Sequence, residues 1–399
     1  MKKLSLISRI VICLIIGILA GLVCNMLTLD APIRILVTLG DLFGSFLSFM
    51  IPLIIIGFII PGIASLGKKS GKGLLITTII AYTSTIIAGV LAFLAGRTLL
   101  PLFIQGSNMF EEAGQSVTSY FSIEIPPIMG VMSALVLAFV LGIGLSGLKN
   151  SVLLKCMEEF NQIVLKVVQN VLIPLVPIYI GCIFAKISFN GEIISTLKSF
   201  GTVYVILLSL QIAYILIQYL IAGWVKKDNP FKMLKNMMPA YFTAVGTQSS
   251  AATIPVTLAC AKKNHINEEV LGFVIPLGAT IHLAGDTITL VLTSMAVMLM
   301  KGEVPTFSLM MPFILMLGVT MVAAPGVPGG GVMAALGLLE SMLGFGGFEK
   351  PLMIALHAAQ DSFGTATNIT GDGAISVLVE AVLDKNPTPS SVITDLEAC

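Results

Sequence analysis

Five residues near the end of the chain, His357, Asp361, Thr365, Asn368 and Asp372, stand 4, 4, 3 and 4 apart within "LHAAQDSFGTATNITGDGAISVLVE", residues 356–380. On an α-helix those intervals draw one stripe. Carboxylates can hold an ammonium group or a hard cation, which prefers oxygen ligands, and a histidine can carry a proton near neutral pH. The other positions are mostly small or apolar, so the stripe asks for a ligand. A second group is "GATIHLAGDTITL", where His282 and Asp286 stand four apart. Two ionisable groups inside one apolar span are costly and point to function by default. The alternative is that they pair with each other on one helical turn and do no more.

The chain that positions these groups is 56% hydrophobic and 11% charged over 399 residues. A soluble domain is about a quarter charged, so the solvent for this chain is lipid. A net charge of +1 implies neither nucleic acid nor a general electrostatic partner. Six scattered cysteines without a C-x-x-C pair give no disulfide framework and no metal site. No G-x-x-x-x-G-K-[ST] run is present, and transport driven by a cation gradient requires none. The N-terminal "MKKLSLISRIVICLIIGILAGLV" reads as a first membrane span; as a signal peptide its apolar run is too long and lacks a cleavage site.

About twenty apolar residues cross a bilayer. Six candidate spans cover 6–27, 36–65, 74–100, 128–148, 160–187 and 199–224. The stretches 236–260 and 307–345 are apolar but interrupted by "TQSSAATIP" and "APGVPGGGV"; 268–300 and 347–384 carry the polar residues. Lysines after the second, fourth and sixth spans fall on the side of Lys2, Lys3 and Arg9. Lys262 and Lys263 join them only if 236–260 enters and returns. The positive-inside tendency then puts the N-terminus in the cytoplasm, and 385–399 forms a cytoplasmic tail. The units 236–300 and 307–384 enter from opposite sides, an inverted repeat of interrupted segments that marks a transporter's binding site. The chain divides into a six-span part, 1–235, and a core, 236–384.

Irregular backbone at membrane depth needs protein or a water-filled cavity around it. "TQSSAATIP" offers Thr247, Gln248, Ser249, Ser250 and Thr253 at a turn whose free N–H groups and helix N-terminus suit a carboxylate. "PGVPGGGV" is a sharp turn able to open, with carbonyls for a hard cation. Each alone also reads as a packed connection.

With "SSAATIPVT", "PLGATIHLAGDT", "PGVPGGG" and "TATNITGDG" in this order, the sequence resembles the dicarboxylate/amino acid:cation symporter family, the glutamate transporter homologues. The likeness covers nearly the whole chain. It implies an all-α integral membrane protein with eight transmembrane helices, two re-entrant helical hairpins and an elevator-type homotrimer. Spans 2, 4 and 5 would make most of the scaffold; spans 3 and 6 would move with 236–384. It implies that Asp361 holds the substrate ammonium, that Gln248, Ser249 and Ser250 lie at its carboxylate, and that Asn368, Val327 and Gly331 lie beside it. One cation would meet Asp372, Asn368, Gly278 and His282; another would meet Thr280, Met321, Val322 and Ala324. Gly326, Pro328, Gly329 and Gly330 would form the extracellular gate.

The departures set the expected substrate. Acidic amino-acid carriers have an arginine just before the threonine matched by Thr365; here it is Gly364. The threonine beside it is replaced by Asp286, a like charge for a side-chain carboxylate. The expected reading is therefore Na⁺-coupled uptake of a small neutral amino acid resembling serine, threonine or alanine, with one or two sodium ions and no organic cofactor. A cationic substrate anchored by Asp286 is the alternative. A further sodium site has lost its carboxylate at Ala284, leaving Ser84 and Thr85; His282 or His357 is the alternative proton carrier. An intramembrane aspartyl hydrolase is disfavoured, since Asp361 and Asp372 are about 16 Å apart along one helix, and no enzymatic activity is expected.

Overall fold

A computed structural model describes residues 6–68, 72–104, 117–148, 150–191, 193–322, 324 and 328–384. The expectations for Gly326, Val327 and the tail 385–399 lie outside these residues. Among the described residues the chain is helical, with no strand.

Among the described residues six segments are long and apolar enough to cross a membrane: Ser8–Met26, Asp30–Ala64, Gly73–Phe103, Val152–Phe189, Ile193–Lys226 and Glu268–Met300. The first two lie in α1 (Leu6–Met26) and α2 (Asp30–Lys68), the third in α3 (Lys72–Phe103). The shorter α4 (Val131–Ser146) packs on α2. The fourth segment is α5 (Val152–Val167) and α6 (Ile173–Phe189), joined by a π-turn at Val168–Leu172. It starts eight residues before the expected 160, because Lys155, Glu158 and Glu159 ride on the polar face of a helix the apolar count does not see. Ile16, Val205 and Trp224 are among the large apolar side chains left on the outside, the face lipid covers.

Helices α1 and α6 meet backbone to backbone at two glycines of α1. A Cβ on Gly17 would stand 2.1 Å from the carbonyl oxygen of Gly181, and one on Gly21 would stand 2.3 Å from that of Ala185. The glycines at 17 and 21 are a small-x-x-x-small pair, which lets backbones approach where burial from water gives no drive.

The remaining helices gather round the last one. Helix α7 (Ile193–Lys226) precedes the first hairpin, α8 (Pro230–Thr247) and α9 (Ser250–Lys262). Then come α10 (Glu268–Ile281) and α11 (Ala284–Met300), a second hairpin of α12 (Phe307–Met321) and α13 (Gly330–Leu343), and α14 (Glu349–Asp384). Helix α14 packs against α3, α7, α8, α9, α10 and α11, which is why its polar stripe is buried. At its start Lys350 donates to Glu340 of α13 at 2.9 Å and to Ser48 of α2 at 3.1 Å.

Replacing Gly17 by Val is expected to cost about 3 kcal/mol, the upper end of an overpacking penalty. The check is the melting temperature of the purified protein; no fall would show that α1 can back away from α6 freely.

Candidate functional site

Three backbone breaks converge on α14. In the first hairpin the turn is Gln248, at φ 54°, followed by Ser249. Ser249 caps α9 by accepting from the N–H of Ala252 at 3.3 Å. Gln248 sits in a left-handed conformation unusual for a residue with a Cβ. Its Nε2 donates to Ser362 Oγ at 2.8 Å, which docks the turn on α14. In the second hairpin Gly329, at φ 74°, opens α13 in a conformation glycine adopts without strain. Its N–H donates to Asp361 Oδ2 at 2.8 Å. The two tips therefore touch adjacent residues of α14, Ser362 and the stripe residue Asp361.

The third break lies between α10 and α11, where His282 and Leu283 leave helical geometry. This corrects the helical-turn pairing weighed for His282 and Asp286. The interruption points the two side chains at different partners. His282 Nδ1 lies 3.0 Å from Asp372 Oδ1, and Asp286 Oδ1 lies 2.7 Å from His357 Nε2. An ionised carboxylate only accepts, so each imidazole nitrogen carries the hydrogen. Asn368 joins the two sides of the break: its Nδ2 donates to Asp286 Oδ2 at 2.6 Å, and its Oδ1 accepts from Gly285 N–H at 2.7 Å. That bond satisfies one of the free donors at the start of α11, where the helix dipole also favours Asp286.

Two ionic centres result. In one, Asp286, His357 and Asp361 offer ligand atoms all within 4.8 Å of one another, and each residue is nearly or wholly buried. Gly331 closes it, since a Cβ there would stand 2.9 Å from Asp286 Oδ1. Gly364 borders the same carboxylate, with its Cβ position 3.7 Å from Asp286 Oδ1. Thr365, one position on, is buried. Asp286 and Asp361 do approach each other. Asp286 is committed to His357 and Asn368, and Asp361 to the hairpin backbone, so neither is arranged to share a proton with the other as a hydrolytic dyad must.

The second centre is Asp372. Gly278 leaves room for it, since a Cβ there would stand 2.6 Å from Oδ1. Its other oxygen, Oδ2, is buried without a hydrogen-bond partner. An unanswered carboxylate oxygen in this setting fits a hard cation. The far side of His282 meets Ser84, with Nε2 3.0 Å from Oγ. The Ser84 hydroxyl also lies 2.7 Å from Tyr214 OH. Turning one hydroxyl hydrogen lets Ser84 either donate to Nε2 or accept from it, so both protonation states of His282 are accommodated. Thr85 instead donates to the Ala81 carbonyl at 3.0 Å. His357 belongs to the Asp286 centre and stands apart from this network, contrary to the grouping of His357 with Ser84, Thr85 and His282 as a third site.

Thr280, Val322 and Ala324 share the lining of a cavity of about 660 Å³, together with Phe58, Pro61 and Asn161 from α2 and α5. Met321, expected beside them, is wholly buried at the end of α12. Pro328 and Gly330 flank the docked Gly329. Sequence reasoning missed Ser362, which receives Gln248, as well as Tyr214 and Gln218 around Ser84. Ser362 stands beside Asp361; the other two had no local signal.

A profile of the sodium:dicarboxylate symporter family matches residues 6–382. The chain belongs to this family. It is therefore a multi-pass membrane protein of a symporter class. It is 26% identical over 407 residues to a serine/threonine transporter SstT of Enterococcus faecalis, covering 95% of this chain and 92% of that one. A second serine/threonine transporter SstT, of Acinetobacter baumannii, is 25% identical over 400 residues, covering 96% and 97%. Excitatory amino acid transporter 3 of Oryctolagus cuniculus is 30% identical over 255 residues, 62% of this symporter and 48% of the relative.

Replacing His282 by Ala strands Asp372 and is expected to destabilise the symporter by about 3–5 kcal/mol, the cost of breaking a buried pair on one side. The melting temperature reads it; a loss near that of an exposed substitution would mean His282 does not support Asp372.

Proposed function

We propose that the chain is a secondary active carrier, not an enzyme, coupling sodium entry to uptake of a small neutral amino acid of the serine, threonine or alanine kind. The observation that carries this reading is the surround of Gly364. No Lys or Arg lies between Lys350 and Lys385, and the charged group bordering Gly364 is Asp286. A substrate carboxylate there would meet a like charge with no cation to answer it. A cationic side chain is served poorly too, because His357 and Asn368 already donate to Asp286 and the other group at Gly364, Gln360 Nε2, is itself a donor. The whole-length relatives described as serine/threonine transporters support the same class.

Asp361 takes the substrate ammonium, and the N–H groups of the first hairpin around Ser249 and Ser250 take its carboxylate. Asp372 Oδ2 takes a sodium ion with the backbone oxygens of Gly278, His282 and Asn368; Thr280, Met321, Val322 and Ala324 serve a second. The second hairpin is the gate, because its Gly329 N–H releases Asp361 when the tip lifts. Helices α3 and α7–α14 move as one body against a trimeric scaffold of α2, α4, α5 and α6, in an elevator with both chain ends in the cytoplasm. Eight spans and two re-entrant hairpins complete this reading. A second reading, proton in place of one sodium, is favoured by His282, which bridges Asp372 and Ser84 where a cation would otherwise lie.

Thermal shift of the purified protein with each of the twenty amino acids, in Na⁺ and in choline, tests both. A ligand that binds the native state at 100 times its Kd adds about 2.7 kcal/mol. Stabilisation by serine, threonine or alanine in Na⁺ alone is the expected result. Equal stabilisation in choline that changes with pH moves the coupling to protons; stabilisation by aspartate or glutamate overturns the reading of Gly364. Gly278→Ala, whose methyl would displace Asp372, is expected to remove the sodium dependence, whereas Asp361→Ala is expected to remove amino-acid binding in either salt.

A further inference from the structure

Gln360, next to Asp361, is buried with 1% of its surface exposed. Its orientation is fixed from behind by a chain of hydrogen bonds. The Gly285 carbonyl can only accept, and Gln211 Nε2 lies 3.3 Å from it and 3.2 Å from Thr289 Oγ1. Gln211 therefore presents its NH₂ group on that side, and the same Nε2 donates to Gln360 Oε1 at 3.0 Å. With Gln211 held to the Gly285 carbonyl, turning the Gln360 amide over would set NH₂ against NH₂. Its Nε2 is left as a buried donor with no acceptor.

This donor borders Gly364. A Cβ at Gly364 would stand 3.3 Å from Gln360 Oε1, 3.4 Å from Nε2 and 3.7 Å from Asp286 Oδ1. Gly364 is thus bordered by an N–H group without a partner and by a carboxylate oxygen that has accepted one hydrogen bond and has a lone pair left. Gly364 lies about one helical turn, 5–6 Å, from Asp361 on the same face. An amino acid held at Asp361 by its ammonium reaches it with a side chain two or three atoms long.

We propose that Gln360, positioned by Gln211, is the residue that selects the substrate side chain, and that it selects a hydroxyl or a primary carboxamide. This rests on the uptake of a neutral amino acid proposed above. A hydroxyl or carboxamide accepts from Gln360 Nε2 and donates to Asp286. A carboxylate accepts from the first but is repelled by the second. An ammonium satisfies the second and leaves the first facing a donor. A methyl satisfies neither, so alanine is carried less efficiently than serine or asparagine. Sites with a buried polar group waiting for the substrate discriminate strongly against an analogue that leaves it unpaired.

The test is uptake of L-serine, L-asparagine and L-alanine into proteoliposomes holding the full chain, read as kcat/KM. Gln360→Leu removes the donor. Gln360→Glu keeps the size and the bond from Gln211 but offers no N–H, so it answers the question if the leucine variant does not fold. Each is expected to lower the serine-to-alanine and asparagine-to-alanine ratios about tenfold, the effect of one buried hydrogen bond. Gln211→Leu, acting through Gln360, is expected to lower them by less while leaving the Gln360 side chain in place. Ratios that stay within about twofold of the unsubstituted protein in both Gln360 variants overturn the assignment while leaving neutral amino-acid uptake standing. Uptake of none of the three by the unsubstituted protein overturns both.

Discussion

Burying carboxylates inside a membrane helix bundle is the constraint to which the rest of the architecture responds. Asp286, Asp361 and Asp372 are each buried, and a carboxylate without water must be answered by hydrogen bonds, an opposite charge or a cation. Each answer requires a break in regular structure nearby. Asp361 is met by the backbone N–H of Gly329, which is free because a left-handed turn opens α13 there. Asp286 is met by His357 and by Asn368, and Asn368 reaches it because α11 starts at that point. Asp372 is met by His282, the residue at which α10 stops being a helix. The hairpin tips and the kinked span are thus the means of satisfying charge at depth, with ligand specificity following from which atoms remain unanswered.

Much of this was legible in the sequence, for physical reasons. The stripe on α14 shows because helical periodicity acts on types that stand out in an apolar chain. The hairpins show because Gly, Pro, Ser and Thr interrupt otherwise continuous apolar runs. What the sequence could not show are pairings between distant segments. His282 and Asp286 are four apart and look like partners, but two residues of non-helical backbone send them to Asp372 and His357. Gln211 and Gln360 are 149 positions apart, and only the packing of α7 on α14 brings them together. Gly17 and Gly21 carried a readable signal that the apolar count passes over, because hydrophobicity and close approach are separate properties of the same run.

Gly364, Asp286 and His282 set the chemistry of the site. The three positions are coupled. Gly364 lets Gln360 and Asp286 meet beside it without a side chain between them, and the carboxylate of Asp286 is answered by His357. A histidine at 282 occupies one side of Asp372 and leaves one oxygen for a ligand. Replacing Asp286 or His282 in isolation would leave a buried partner unpaired.

Lys350 divides its hydrogen bonds unequally between two neighbours. Its bond to Glu340 joins α14 to α13, so it stays within the group of helices that carries the polar stripe. Its bond to Ser48 crosses to α2. A sliding of the one group past the other would break the contact with a neutral hydroxyl and keep the contact with a carboxylate. The ammonium would then keep its counter-charge, and the hydrogen bond given up would be that to a single hydroxyl, which water can replace at little cost.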